Sequence, residues 1–370
     1  MHNPYHFSGE ETIPSPALIY YRDILMENIK TAIDAAGSAE ALWPHVKSHK
    51  SMDFTQLQTT FGIRKFKCAT IAEAEMVAST DAESILLAYP LVGPNIDRFL
   101  NLSAAYKNKT FYALGDDLSQ LQLLGQAAAS RNMNISCMID VNTGMNRTGV
   151  ALHDVTGFFY RMEQISGITP AGLHCYDGNR HEKDYESRQS AVNDTIDQVQ
   201  KILRELEQHC SRSLICIMGG SPSFPCYAKH MEQVYFSPGT VFVYDSGYTD
   251  QFPDLPYIPG AAVLARVVSH PTDNSFTLDA GYKAISAEQG IRGIIPELPH
   301  AREAFQSEEH WTFSMEEGYE NERPAIGSIV YIIPWHICPT TALYEKIHVV
   351  SNEALETTWN VTARDRQLHY

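Results

Sequence analysis

Residues 170–220 read PAGLHCYDGNRHEKDYESRQSAVNDTIDQVQKILRELEQHCSRSLICIMGG. The stretch opens on a short apolar run, 170–176, and closes on another, 214–219. Both are short, bounded by turn residues, and read as strands. Between them, over 185–208, Val192, Ile196, Val199, Leu203 and Leu206 step by four and three. That spacing draws one apolar stripe along a polar helix. A strand, a helix and a second strand in this order form the repeating unit of a parallel sheet.

The same alternation extends in both directions. Strand-like runs occupy 41–48 (ALWPHVKS), 65–70, 84–91, 110–114, 135–141 and 233–239, which makes eight in all. Weaker helical stretches fall at 53–62, 71–80, 95–108 and 117–130, and none is evident between the last two strands. Eight strands with both faces apolar favour a closed (β/α)8 TIM-type barrel over an open sheet. The barrel is assigned to residues 23–252. After 253 the helical stripes stop, and alternating runs appear at 261–268, 275–278, 311–315, 328–333, 347–350 and 359–363. These read as a C-terminal antiparallel β domain, 253–370. Within an N-terminal segment, 1–22, the run 17–21 (ALIYY) is expected to pair with it.

Composition narrows the function. The chain has 370 residues, 44% of them apolar, enough to bury a full core. Its formal charge of −16 repels phosphate backbones, so nucleic-acid partners are not expected. No apolar run reaches a membrane span's length, and none is expected at a membrane. Residues 1–11 show no secretion signal, and seven scattered cysteines suit a reducing compartment, so a cytoplasmic location is expected.

Catalysis in such barrels sits at the carboxyl ends of the strands. There the sequence places PHVKSHK (44–50), NTGMNR (142–147), HCYDG (174–178), GGSP (219–222) and SPGT (237–240). Singly, each has a bland reading: solvated lysines, a turn, an arginine paired with a carboxylate. Together they put a lysine, an arginine, an aromatic ring and two glycine loops on one rim. Lys47 falls inside the run 41–48, where an unpaired ammonium is costly to bury. A buried lysine of lowered pKa is what Schiff-base chemistry requires. Glycine loops can offer backbone N–H groups to a phosphate. A lysine imine and a phosphate cradle together point to pyridoxal 5′-phosphate.

At this point the chain resembles the alanine-racemase-type (fold type III) pyridoxal-phosphate enzymes, and more narrowly their D-serine dehydratase and D-threonine aldolase branch. The matching pieces are PHVKSHK, CATIAEAEM, LLAYPLVGP, VNTGMNRTGV, GLHCYDG, MGGSPSFP, FSPGTVFVYD, LDAGYKA, SEEH and PWHICPT, in family order. The resemblance implies that Lys47 forms the internal aldimine and Arg147 bonds the cofactor's phenolic oxygen. It places Tyr176 against the pyridine ring, and Gly220, Ser221, Gly239 and Thr240 around the phosphate. It makes His336 and Cys338 a metal pair, and it implies a homodimer. The second base that racemases carry as a tyrosine in the C-terminal domain has no clear match here.

His336 and Cys338 lie two apart in a segment read as strand, which would point both side chains the same way. A thiolate and an imidazole suit Zn²⁺ better than Mg²⁺ or Ca²⁺. His181 is a candidate general base or metal-shell group, or a surface histidine. His45 and His49 flank Lys47, and Glu309 and His310 take no assigned chemistry. The expected activity is a zinc- and pyridoxal-phosphate-dependent lyase on small D-3-hydroxy amino acids. Cys338 favours the D-serine dehydratase type, with D-threonine aldolase as the alternative. A racemase, a non-catalytic pyridoxal-phosphate protein and a metal-only hydrolase are the further rivals.

Overall fold

The computed structural model describes residues 5–370, which divide into two compact units. One comprises Lys30–Lys47, Ser51–Gly239 and Asp365–Tyr370. The other comprises the described residues up to Ile29, with Ser48–Lys50 and Thr240–Arg364.

In the first unit, seven parallel strands hydrogen-bond in chain order. They are Lys65–Cys68, Ser84–Leu87, Thr110–Gly115, Ile135–Asn142, Ile168–Cys175, Ile215–Met218 and Tyr235–Phe236. Residues 42–45 supply the eighth stave. The Trp43 N–H donates to Phe236 O at 2.7 Å, and the Lys67 N–H donates to Pro44 O at 2.9 Å. One segment thus bonds to both edge strands and closes the barrel. Its ladder is short because Pro44 has no N–H to give. The chain then tightens into a 3-10 turn, Val46–Ser48, so Lys47 lies on a turn at the end of the stave and not within a strand.

Outer helices include Met52–Thr60, Ile71–Ala78, Asn95–Ala105, Leu118–Ser130 and Tyr185–Cys210. Two more, Val155–Met162 and Phe224–His230, are too short for their periodicity to show in the sequence. The second occupies the interval where no helix was expected. Inside the barrel, Trp43, Leu86, Leu114, Met138, Ala171 and Ile217 pack together. Met138 and Asp140 are two apart on one strand and so share its inner face. Gly172 lies at φ +152°, and a Cβ there would sit 1.8 Å from Ile215 O. Only glycine lets the two strands approach that closely.

The second unit is a mostly antiparallel sheet. Its strands run Ala301–Gln306, Trp311–Met315, Ser275–Leu278, Ala261–Ser269, Ala17–Tyr21, Lys346–Ser351 and Ala354–Asn360. Ile329–Pro334 also pairs with Ala261–Ser269. Ala17–Tyr21 is antiparallel to Ala261–Ser269 and parallel to Lys346–Ser351. The last strand begins five residues earlier than expected, because Asn352 and Glu353 turn the chain at φ +49° and +58°. Two left-handed residues in a two-residue loop make a type I′ hairpin. The LDAGYKA and SEEH pieces are packing partners here. Tyr282 and Lys283 donate N–H bonds to Ser307 O and Glu308 O, which assigns the second piece a structural place. Among the described residues, no helix is long and apolar enough to cross a membrane.

Candidate active site

Tyr176 follows the strand Ile168–Cys175, and three basic side chains surround its ring in the barrel unit. Lys47 Nζ lies 5.6 Å from the ring centroid, Lys67 Nζ 5.2 Å, and the Arg147 guanidinium carbon 5.2 Å. Lys47, Arg147 and Tyr176, expected together from the sequence, are brought together. A recess beside them is lined by Asp140, Asn142, Met145, Arg147 and Tyr176, among others. Two cations and a buried lysine amine around one ring, in an acidic chain, form a local anion-attracting spot.

Lys67 had not been singled out. It is fully buried, whereas Lys47 on its turn is only half-buried. Its Nζ donates to Ser237 Oγ at 2.6 Å and lies 3.4 Å from His174 Nε2. His174 Nδ1 lies 2.8 Å from Asp140 Oδ1. Burial lowers the Lys67 pKa to about 7, helped by the charge of Lys47 and opposed by Asp140. Burial also lowers the His174 pKa, with Asp140 opposing. The ring is therefore neutral near pH 7: Nδ1–H donates to Asp140, and Nε2 accepts from Lys67. The buried-lysine argument made for Lys47 belongs physically to Lys67. The signal was present in KFKC, where Lys67 sits between Phe66 and Cys68.

The glycine loops are held from within. Asp177 is buried and accepts from Gly220 N–H at 2.9 Å, Ser223 Oγ at 2.7 Å and the Tyr227 hydroxyl at 2.8 Å. Burial pushes its carboxyl up, and these bonds oppose the rise. The Gly239 N–H donates to Ser221 Oγ at 3.1 Å. Gly220 and Gly239 thus already spend their N–H groups inside the protein. What Gly220 offers is close approach, since a Cβ there would meet the Tyr176 ring at 3.1 Å. Gly219, at φ +73°, holds a left-handed turn that favours glycine. His181 is exposed, and the structure does not bring it to this cluster.

In the other unit, His336 and Cys338 are not on a strand. The strand ends at Pro334, His336 caps the short helix Ile337–Thr341, and Cys338 lies in its first turn. The two side chains nevertheless meet in a hydrogen bond. Cys338 Sγ also lies 3.3 Å from Ser48 Oγ and 3.5 Å from Thr240 Oγ1, while His336 Nδ1 is bonded to Glu288 at 2.5 Å. Burial would raise the Cys338 thiol, but the His336 bond and charge win and lower it. Burial would lower His336, yet Cys338 and Glu288 push it up to about 9. Among the described residues no group of three or more His, Cys, Asp and Glu gathers as a metal cluster. Cys338 and His336 are the thiol and the imidazole that meet there.

Two family models match the chain. One, described as alanine racemase, N-terminal domain, covers residues 22–246. The chain belongs to that family. The other, a putative serine dehydratase domain, covers residues 260–350. A D-threonine aldolase from Arthrobacter sp is 26% identical over 331 residues, 88% of this chain and 85% of that protein. A D-serine dehydratase from Dictyostelium discoideum is 22% identical over 388 residues, 92% of this chain and 94% of that protein. Among solved structures, D-threonine aldolase from Filomicrobium marinum aligns with a TM-score of 0.87 at 24% identity, over 96% of both chains. The alanine-racemase-like fold follows from this membership, and close family members are pyridoxal-phosphate-dependent lyases.

Proposed function

We propose that the protein is a lyase acting on D-3-hydroxy amino acids, of the D-serine dehydratase type. The observation that carries the reading is the convergence of Lys47 and Arg147 on the ring of Tyr176, at the carboxyl ends of the barrel strands. These residues fit pyridoxal phosphate: an amine to hold its aldehyde carbon, a guanidinium for its phenolic oxygen, and a ring to lie against the pyridine. The hydroxyl of Ser221, with Gly220 and Gly239 beside it, would receive the phosphate. When bound, the cofactor draws electrons from the substrate α-carbon.

A cysteine and a histidine side by side fit a zinc ion, which His336 and Cys338 would hold with remaining positions left to solvent or substrate. Such an ion supplies Lewis acidity toward a β-hydroxyl. In the dehydratase reading, Lys47 takes the α-proton, hydroxide leaves, and the products are a keto acid and ammonia. In the aldolase alternative, favoured by the 26% relative, a base takes the hydroxyl proton. The α–β carbon bond then breaks to glycine and an aldehyde. Cys338, matching the dehydratase side of the branch at the second metal position, supports the first reading, and His181 remains a candidate general base or metal-shell group on its exposed loop. A homodimer in a reducing, cytoplasmic compartment completes the proposal.

The test is a product assay on the cofactor-loaded protein with D-serine, D-threonine and D-3-hydroxyaspartate. Keto acid and ammonia are expected. Glycine and aldehyde would move the protein to the aldolase type. Loss of optical rotation with neither product set would overturn the lyase reading.

A further inference from the structure

The Lys67 chain has a direction that the proposed reaction does not use. Thr148 and His174 both donate to Asp140, the first at 2.6 Å and the second at 2.8 Å. Lys67 donates to Ser237, whose hydroxyl lies 3.2 Å from Gly219 O and donates to it. An amine with no exposure thus joins the Arg147 loop to the glycine loop and lies 5.2 Å from the ring that Lys47 and Arg147 share. The charged groups that act on it are Lys47 and Arg147 on one side of the balance and Asp140 and Asp177 on the other. His174, which touches it, is neutral.

Without an anion in the recess, burial and two neighbouring cations disfavour an ammonium at this position. An anion bound among the three basic groups reverses that balance, because an opposite charge within several ångströms favours the protonated form. We propose that Lys67 is the charge-compensating residue of the cofactor site, taking up a proton when pyridoxal phosphate binds. The inference rests on the cofactor reading above and is independent of which reaction the loaded enzyme performs. Atoms balance simply: one proton moves from solvent to Lys67 Nζ, and no covalent bond of the lysine changes. Its depressed unloaded pKa, about 7, leaves most of the amine unprotonated at pH 8 and able to accept that proton.

The experiment is calorimetric titration of the unloaded protein with pyridoxal phosphate at pH 8, in buffers of different ionisation enthalpy. The wild type is compared with Lys67→Arg, which keeps its charge at all working pH values, and with Lys67→Met, which never carries one. The wild type should take up about half a proton or more beyond either variant. Between pH 7 and 9 its Kd should also rise by up to ~10-fold per pH unit more steeply than that of Lys67→Arg. Equal proton stoichiometry in the wild type and whichever variant folds and binds overturns the proposal and leaves the cofactor reading intact. Failure of the wild type to bind the cofactor overturns both. If neither variant folds, Lys67→Gln serves as the uncharged comparison, and equal proton stoichiometry in it and the wild type overturns the proposal.

Discussion

Asp177 accepts three hydrogen bonds in a place without solvent, and all three donors belong to the glycine-loop segment 220–227. Asp177→Ala leaves the buried Tyr227 hydroxyl without this acceptor and Gly220 and Ser223 with only their bonds to each other, and should cost about 3 kcal/mol by denaturant unfolding. Asp177→Asn keeps one acceptor and should lose less; equal losses would contradict this account. Lys67 sets a pH dependence. Its folded pKa is about 7, against ~10.4 in the unfolded chain. Between those values the unfolded state binds more protons, so stability rises with pH. The wild type should therefore gain on Lys67→Met from pH 7 to pH 9.5, and a flat difference would refute the burial argument. The same residue marks how far the site was legible. KFKC showed a lysine between two apolar neighbours, but the sequence does not say which face of a strand points inward. Lys47, set in a longer apolar run, carries the plainer sequence signal for burial, yet the 3-10 turn leaves it half-buried.

At the scale of elements, CATIAEAEM is a helix start. Thr70 Oγ1 accepts from Glu73 N–H at 3.1 Å, and the Glu73 carboxylate accepts from Ala69 N–H at 2.6 Å. This is a near-capping-box arrangement on a fully buried helix. Thr70→Ala should lower stability by about 1 kcal/mol, measured by denaturant unfolding, and a neutral result would mean the cap is dispensable. Long elements such as Tyr185–Cys210 were legible because their stripes repeat over many turns. Phe224–His230, with two turns, and the I′ turn at Asn352 and Glu353, without its usual glycine, were not. The step from His336 to Cys338 was read as extended chain. The helix beginning at Ile337 brings the two together by a different route.

For the molecule as a whole, charge is distributed unevenly: net −16, yet two lysines and an arginine lie within 6 Å of the Tyr176 ring centre. The fold was legible at this scale because strand–helix alternation survives many local errors in element boundaries. The eighth stave, only four residues long, was read as longer because its apolar run continues into the turn that carries Lys47. On the zinc assignment, protein purified with zinc should carry about one ion per chain, and Cys338→Ser should carry well under that by atomic emission. Unchanged metal content would remove Cys338 from the donor set. The central claim, that Lys47 holds pyridoxal phosphate, is tested most directly by borohydride reduction of the cofactor-loaded protein, digestion and fragment mass spectrometry. A pyridoxyl group on Lys47 is the predicted result. A label on Lys50 or Lys67, or no label on a chain that binds the cofactor, would contradict it.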